Sequence, residues 1–194
     1  WTWVSFLLAV IALGVFCYVR QFQGGLIQTN MRDQVSWAFY IGNFTFFVGV
    51  AAAAVLLVIP AYIYQWKPIK EVVIFGELLA ISSIVVCGLF VMVDVGRPDR
   101  VWHLMPGLGR LNLPSSLLAW DVVVLNGYLV LNAVIVSYLL FTMFRKRHPD
   151  KRIFVPLVLF SIPAAIAIHT VTAFLYNGFG GRPYWNASIL APRF

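Results

Sequence analysis

A row of polar side chains recurs at helical spacing within one long apolar stretch of the chain. Asp121, Tyr128 and Asn132 share one face of a helix with Leu125, because side chains three and four residues apart lie above one another. A carboxylate, a phenol and an amide in such a row could hold a polar ligand and accept its proton. Alternatively, Asp121 only stabilises the N-terminal end of its helix, and the other two bond neighbouring helices together.

A second polar row lies on an apolar stretch nearer the C-terminus. Its members are Ser161, Ala165, His169, Thr172 and Tyr176. His169 is either a proton-path residue or a packing histidine with satisfied hydrogen bonds. It is the one histidine inside an apolar stretch, whereas a haem held by two histidines needs a partner on a facing helix. We therefore expect this chain to bind no haem.

Glu77 and Asp94 stand near opposite ends of a third apolar stretch, and both are candidates for a proton path. Ionisable residues inside a membrane are costly and usually mark function. Alternatively, Glu77 has no role in proton transfer, and its carboxylate extends towards the membrane surface near the N-terminus of its helix. Cys17 and Cys87 form no C-x-x-C motif, so we expect neither an iron–sulfur cluster nor a metal site on this chain.

The elements that position these residues follow from the composition. Of 194 residues, 61% are hydrophobic and only 11% are charged, against roughly 25% charged residues in soluble domains. A bilayer can accommodate such apolar stretches, and their length and lack of alternation indicate helices rather than barrel strands. The net charge of +7 sits in short loops beside the apolar stretches, which is typical of membrane topology and not of nucleic-acid binding.

The sequence predicts an all-α integral membrane protein, a polytopic helix bundle with about five transmembrane helices. Residues 1–194 are interpreted as a single transmembrane domain that is truncated at both ends. In the second span, Gly42, Gly49 and Ala51 to Ala54 predict a small-residue face for close helix packing. The predicted spans cover about residues 3–19, 37–64, 72–93, 120–144 and 153–176.

Five spans place the 65–71 and 145–152 loops on one side of the membrane, here called side A. The 20–36 loop, the 94–119 loop and the C-terminal tail lie on side B. The 14 Lys and Arg residues divide evenly between the two sides, but every lysine is on side A. There Arg145, Lys146 and Arg147 directly follow a span, which favours a cytoplasmic side A.

Several sequence motifs resemble the NrfD-like family of polysulfide reductase membrane subunits, over essentially the whole chain. The similarity is greatest to the larger, ten-span members, such as membrane subunits of the sulfite-reduction-associated Dsr complex and the high-molecular-weight cytochrome complex. The motifs are Trp37-Ala38-Phe39-Tyr40-Ile41-Gly42-Asn43-Phe44, Gly96-Arg97-Pro98-Asp99-Arg100-Val101-Trp102-His103, Leu118-Ala119-Trp120-Asp121 and Gly181-Arg182-Pro183-Tyr184-Trp185-Asn186.

The resemblance implies a non-redox-centre subunit of a quinol oxidoreductase complex in anaerobic respiration and sulfur metabolism. Such subunits lie in the prokaryotic cytoplasmic membrane and use menaquinone or menaquinol as substrate. They exchange electrons with an extracytoplasmic ferredoxin-type iron–sulfur subunit, beside cytochrome and other membrane subunits. By motif, His103 and Asp121 match the quinone pocket of the family.

Trp102 and Tyr128 are expected to flank the quinone ring. The arginines on side B are candidates for docking the iron–sulfur subunit, although Arg97 and Arg100 could instead hold their loop through Asp94 and Asp99. The docking candidates are Arg97, Arg100, Arg110 and Arg182. Two other functions stay open: half of an ion-coupled transporter, with Asp121 and His169 on its path, and a structural anchor whose polar rows only join helices.

Overall fold

The protein forms five long helices in a computed structural model that describes residues 1–32, 36–105, 107–147, 149–181 and 185–186. All five are long and apolar enough to cross a membrane. The predicted all-α membrane bundle with five spans is therefore confirmed. The helices are α1 (Thr2–Gly24), α2 (Ala38–Val58, continued by a π-helical turn, Ile59–Ile63), α3 (Lys67–Asp94), α4 (Leu117–Phe144) and α5 (Lys151–Asn177).

Polar caps fix where the last two helices begin. Ser116 accepts a hydrogen bond from the Ala119 amide at 3.2 Å, and Asp150 accepts one from the Arg152 amide at 2.9 Å. Both helices thus begin two or three residues before the predicted spans. The difference arises because hydropathy detects only the lipid-facing part, whereas a helix of this length, about 40 Å, exceeds the roughly 30 Å hydrocarbon core.

Helices α2 to α5 form a four-helix bundle. In it α2 packs on α3 and α5, and α4 packs on the same two helices, so each helix has two neighbours. A short 3-10 helix, Pro98–Leu104, lies in the side B loop between α3 and α4. Because successive helices alternate in direction, Asp121, Tyr176 and Asp94 all belong to the side B half of the bundle.

Helix α1 lies outside this bundle, and Gln21 is its one buried residue. The Gln21 side-chain amide donates to the Val93 carbonyl at 2.7 Å, and the Tyr40 hydroxyl donates to the Gln21 Oε1 at 2.6 Å. Polar bonds of this kind hold helices together in lipid, where apolar contact alone gives little preference over lipid tails. The predicted first span ended at Val19, so sequence analysis placed Gln21 in a loop and missed this junction.

The predicted small-residue face of α2 is only partly correct. A Cβ atom added at Gly42 or Gly49 would meet nothing within 4 Å, so neither glycine brings two backbones together. The close approach of α2 and α3 occurs instead at Gly76, where an added Cβ would lie 2.7 Å from the Leu57 side chain. Ala51 and Ala54 are buried in the bundle, as a packing face requires.

Candidate functional site

Asp121 and Thr172 join α4 and α5 inside the side B half of the bundle. The Thr172 hydroxyl donates to Asp121 Oδ1 at 2.6 Å, and the two residues are only 4% and 0% exposed. This distance is in the short range found for hydroxyl donors to carboxylates. Cys87 and Tyr176 lie within electrostatic range of the same carboxyl group. A proton-accepting group is thus held in a fixed position, away from bulk water.

Tyr176 lies one helical turn nearer side B than Thr172 and bonds to α2. Its hydroxyl is 2.5 Å from the Thr45 Oγ1, which donates its own proton to the Ile41 carbonyl at 2.8 Å. Because a threonine hydroxyl has one proton, Tyr176 is the donor in this pair. Thr45 was not recognised in the sequence, where a threonine within an apolar stretch carries no signal beyond its helical position.

Aromatic rings gather around Tyr176 at the side B end of the core. Trp37 stands 6.4 Å from the Tyr176 ring centroid and 5.2 Å from that of Phe179, and Trp185 stands 5.1 Å from Tyr176. The Trp185 indole donates to the Ser36 carbonyl at 3.0 Å. Trp185, in the tail that follows α5, therefore packs on the residues that precede α2 and on Tyr176.

Tyr128 and Asn132 continue the polar row of α4 towards the middle of the bundle, both at most 2% exposed. The Tyr128 hydroxyl donates to the Ala51 carbonyl at 3.1 Å, and the Asn132 amide donates to the Tyr128 carbonyl at 2.8 Å. The Tyr128 hydroxyl thus bonds α4 to α2. Tyr128 lies in the core, whereas Trp102 lies in the side B loop and is 49% exposed.

His103 lies in the 3-10 helix with an exposed side chain, and its ring stacks on Trp102 at 3.8 Å between centroids. The following loop folds back directly on this helix. A Cβ atom at Gly109 would fall 1.8 Å from the His103 carbonyl oxygen, so only glycine fits there. Within the described parts of the chain, His103 has no hydrogen bond to Asp121. The structure places one of them at the surface and the other in the core.

Arg97, Arg100 and Arg110 in the side B loops are exposed. Arg97 forms an ion pair with Asp99 at 3.1 Å, as the loop-holding alternative predicted. This contact lowers the pKa of Asp99 and raises that of Arg97 from their ordinary values. Arg100 and Arg110 are exposed without an ion pair in the described structure. Arg182 lies outside the described residues.

The three proton-path candidates lie in different places. Glu77 is 1% exposed, and neither of its carboxylate oxygens has a hydrogen-bond partner. Asp94 is partly buried at the side B end of α3, within electrostatic range of Tyr40. His169 is partly buried on α5, outside the set of fully buried residues. No group of three or more His, Cys, Asp or Glu side chains that could hold a metal occurs among the described residues.

The bundle and its buried polar rows define a helical membrane protein, and comparison with known proteins identifies its family. Residues 27–194 match the family model of polysulphide reductase, NrfD. The chain belongs to the NrfD family.

Three relatives are named as subunits of reductases or of an oxidoreductase, and two of these are named as membrane subunits. The chain is 29% identical to a putative membrane subunit of dimethyl sulfoxide reductase from Halobacterium salinarum, over 100% of this chain and 47% of the relative. It is 27% identical to a subunit of selenate reductase from Mesobacillus selenatarsenatis, over 69% of this chain and 30% of the relative. It is 24% identical to an Hdr-like menaquinol oxidoreductase integral membrane subunit from Archaeoglobus fulgidus, over 98% and 45%. The chain spans about half the length of the relatives that it matches along its whole length.

Proposed function

We propose that this chain is part of a quinone-interacting membrane subunit of a respiratory redox complex. It binds menaquinone or menaquinol as substrate at the side B end of the bundle. It exchanges electrons between that substrate and an extracytoplasmic ferredoxin-type iron–sulfur subunit. One relative is named a menaquinol oxidoreductase subunit, which supports this choice of substrate.

The observation that carries the proposal is the buried Asp121–Thr172 pair. Quinol oxidation releases two protons with two electrons, so a quinol site needs a proton acceptor held beside an apolar ring. Asp121 supplies the acceptor, and Thr172 orients it at 2.6 Å. The rings of Trp37, Tyr176 and Trp185 provide flat apolar surfaces at the same end of the bundle.

The exit of the proton and the docking of the partner are assigned to the side B loops. His103 is exposed there and stacked on Trp102, and we assign it to carry a proton between the site and the water on side B. Arg100 and Arg110 present unpaired positive charge on the same loop, suited to an acidic surface of the iron–sulfur subunit. We assign side A, with its basic cluster after α4, to the cytoplasm of a prokaryotic cell.

Binding of a photoreactive menaquinone analogue to the assembled complex tests this proposal. We expect crosslinks in peptides that contain Trp37, Asp121 or Tyr176, and competition by unlabelled menaquinone. Asp121→Asn should reduce labelling of these peptides, while Asp99→Asn, an exposed carboxylate on the same side, serves as the matched control. Labelling that menaquinone does not displace would contradict a quinone site and favour a structural anchor.

A further inference from the structure

The apolar core of the bundle is divided along its length by a central polar layer, formed by Glu77, Asn132 and Ser161. One apolar cluster lies on the side B half and includes Val48, Ala51, Ile84, Tyr128 and Ala165. The other lies on the side A half and consists of Val58, Ala61, Val73, Ile135, Leu139, Phe154 and Val158. On each of α3, α4 and α5 the polar residue falls between members of the two clusters.

Glu77 is the member of this layer whose side-chain oxygens have no hydrogen-bond partner. The Asn132 amide donates to the Tyr128 carbonyl at 2.8 Å, and the Ser161 hydroxyl donates to the Val158 carbonyl at 2.7 Å. Both donors thus serve their own helices, and both oxygens of Glu77 lack a partner. A charged carboxylate in such surroundings is far costlier than a neutral acid. Burial without a hydrogen-bond partner therefore favours the neutral acid form of Glu77 over the charged carboxylate.

The surroundings of Glu77 differ towards the two sides of the membrane. Glu77 lies five residues after Val72, the first residue of its membrane span, so about 8 Å of helix separates it from that end. Tyr62 and Tyr128 are the titratable groups within electrostatic range among the described residues. Tyr128 bonds to the Ala51 carbonyl, whereas Tyr62 stands on the side A half of the bundle.

The helix that carries Tyr62 is irregular at this level. Ile59–Ile63 forms a π-helical turn that contains Pro60, and proline has no amide proton to complete a helical hydrogen bond. The π-helical turn forms the side A end of this span. The Tyr62 ring packs edge-on against Phe154 at 4.7 Å between centroids. On the side A half of the bundle, the surroundings of Glu77 thus include the Tyr62 phenol and the π-helical turn that carries it.

We propose that Glu77 is a proton-exchanging site that takes its proton from side A and is separate from Asp121. The carboxylate binds one proton from water on side A and becomes a neutral acid, and it releases the proton by the same route. No electron is transferred in this step. The proposal does not depend on the quinone assignment, because it rests on the central polar layer and the π-helical turn alone.

An apolar carbodiimide tests the site in the full complex, since it dissolves in the bilayer and reacts with protonated carboxylic acids. The carboxyl proton moves to the reagent, and the carboxyl carbon becomes bonded to it as an acylurea, which mass spectrometry assigns to a peptide. In oriented vesicles we expect label on Glu77 that decreases when the pH is raised on side A alone. Label that follows the pH of side B, label that responds to neither side, or an unlabelled Glu77 would each overturn the proposal.

Glu77→Gln is the matched variant, because the amide has the volume of the acid but binds no proton. We expect the complex to assemble and the label on this peptide to disappear. A water-soluble carbodiimide should modify the exposed Asp99 equally in both proteins. Menaquinone binding, measured in the same vesicles, reports on the proposed function independently, so the failure of one proposal is distinguishable from the failure of the other.

Discussion

Thr172 and Asp121, 51 positions apart in the chain, form a 2.6 Å hydrogen bond between α5 and α4 in the buried core. The threonine hydroxyl is the donor, so one carboxylate oxygen is held in place by a neighbouring helix. The contact therefore connects the polar row of α4 with the polar row of α5.

Asp121→Asn keeps the shape of the side chain and removes the proton acceptor. A positioned general base contributes about 10²–10⁴-fold, so we expect menaquinol oxidation by the assembled complex to fall by at least about 100-fold. Steady-state turnover with a soluble quinol analogue measures this, and co-purification of the partner subunits controls for assembly. Unchanged turnover would mean that the carboxylate only stabilises its helix, and the quinone would then bind elsewhere.

Thr172→Val removes the hydroxyl donor at nearly constant volume and leaves Asp121 without this partner. We expect a loss of stability of about 1–3 kcal/mol, the cost of leaving a buried polar group unsatisfied. Thr172→Ser should recover most of this loss because it retains the hydroxyl group. Thermal unfolding of the purified complex measures both variants. Equal stability of the Val and Ser variants would contradict the assigned hydrogen bond.

His103→Ala should also slow quinol oxidation, because the exposed imidazole lies on the proposed proton exit to side B. In the proposed path Asp121 and His103 act on the same proton in succession, so the double variant should be less than additive. Trp102→Phe is the control, since it retains an aromatic ring for His103 to stack on. Steady-state turnover of the assembled complexes measures both variants. Unchanged turnover in His103→Ala would remove this residue from the proton exit.

Thiol labelling on intact cells tests the membrane topology. Lys146 has a positive φ of 51°, so the neighbouring Arg147 is the better site for a cysteine on side A. Asn112 is exposed in the side B loop and offers the second site. In a Cys17→Ser background, an impermeant reagent should label Asn112→Cys and not Arg147→Cys. The reverse pattern would place side A outside the cell.

Charge reversal at Arg100 and Arg110 should weaken co-purification of the iron–sulfur subunit, and more strongly at low salt, where charges are less screened. Arg147→Glu on side A is the matched control and should have no effect. Arg97 is a poorer choice because it already pairs with Asp99.

The same ion pair has its own pH dependence, which follows from the lowered pKa of Asp99. The pair is intact at neutral pH and is lost as the pH falls through the lowered pKa of Asp99. Partner binding that declines in acid before Asp99 titrates would therefore depend on another group. Asp99→Asn, compared with the wild type over the same pH range, identifies the contribution of Asp99.

The sequence by itself determined the class of structure, an all-α membrane bundle with five spans. Hydropathy and helical periodicity are local properties, so they predicted five membrane helices and placed Asp121, Tyr128 and Asn132 on one face. In α1, α3, α4 and α5 they found only the most apolar part of the helix. Gln21 was therefore missed, because it lies just beyond the apolar part of α1.

The tertiary structure decided which partners these residues have. The bonds of Asp121 to Thr172, of Tyr128 to Ala51 and of Gln21 to Tyr40 each join different helices. No local pattern specifies such pairings, because they depend on how each helix is rotated and paired within the bundle. The same arrangement left Glu77 buried without a partner and kept His103 at the surface, apart from Asp121.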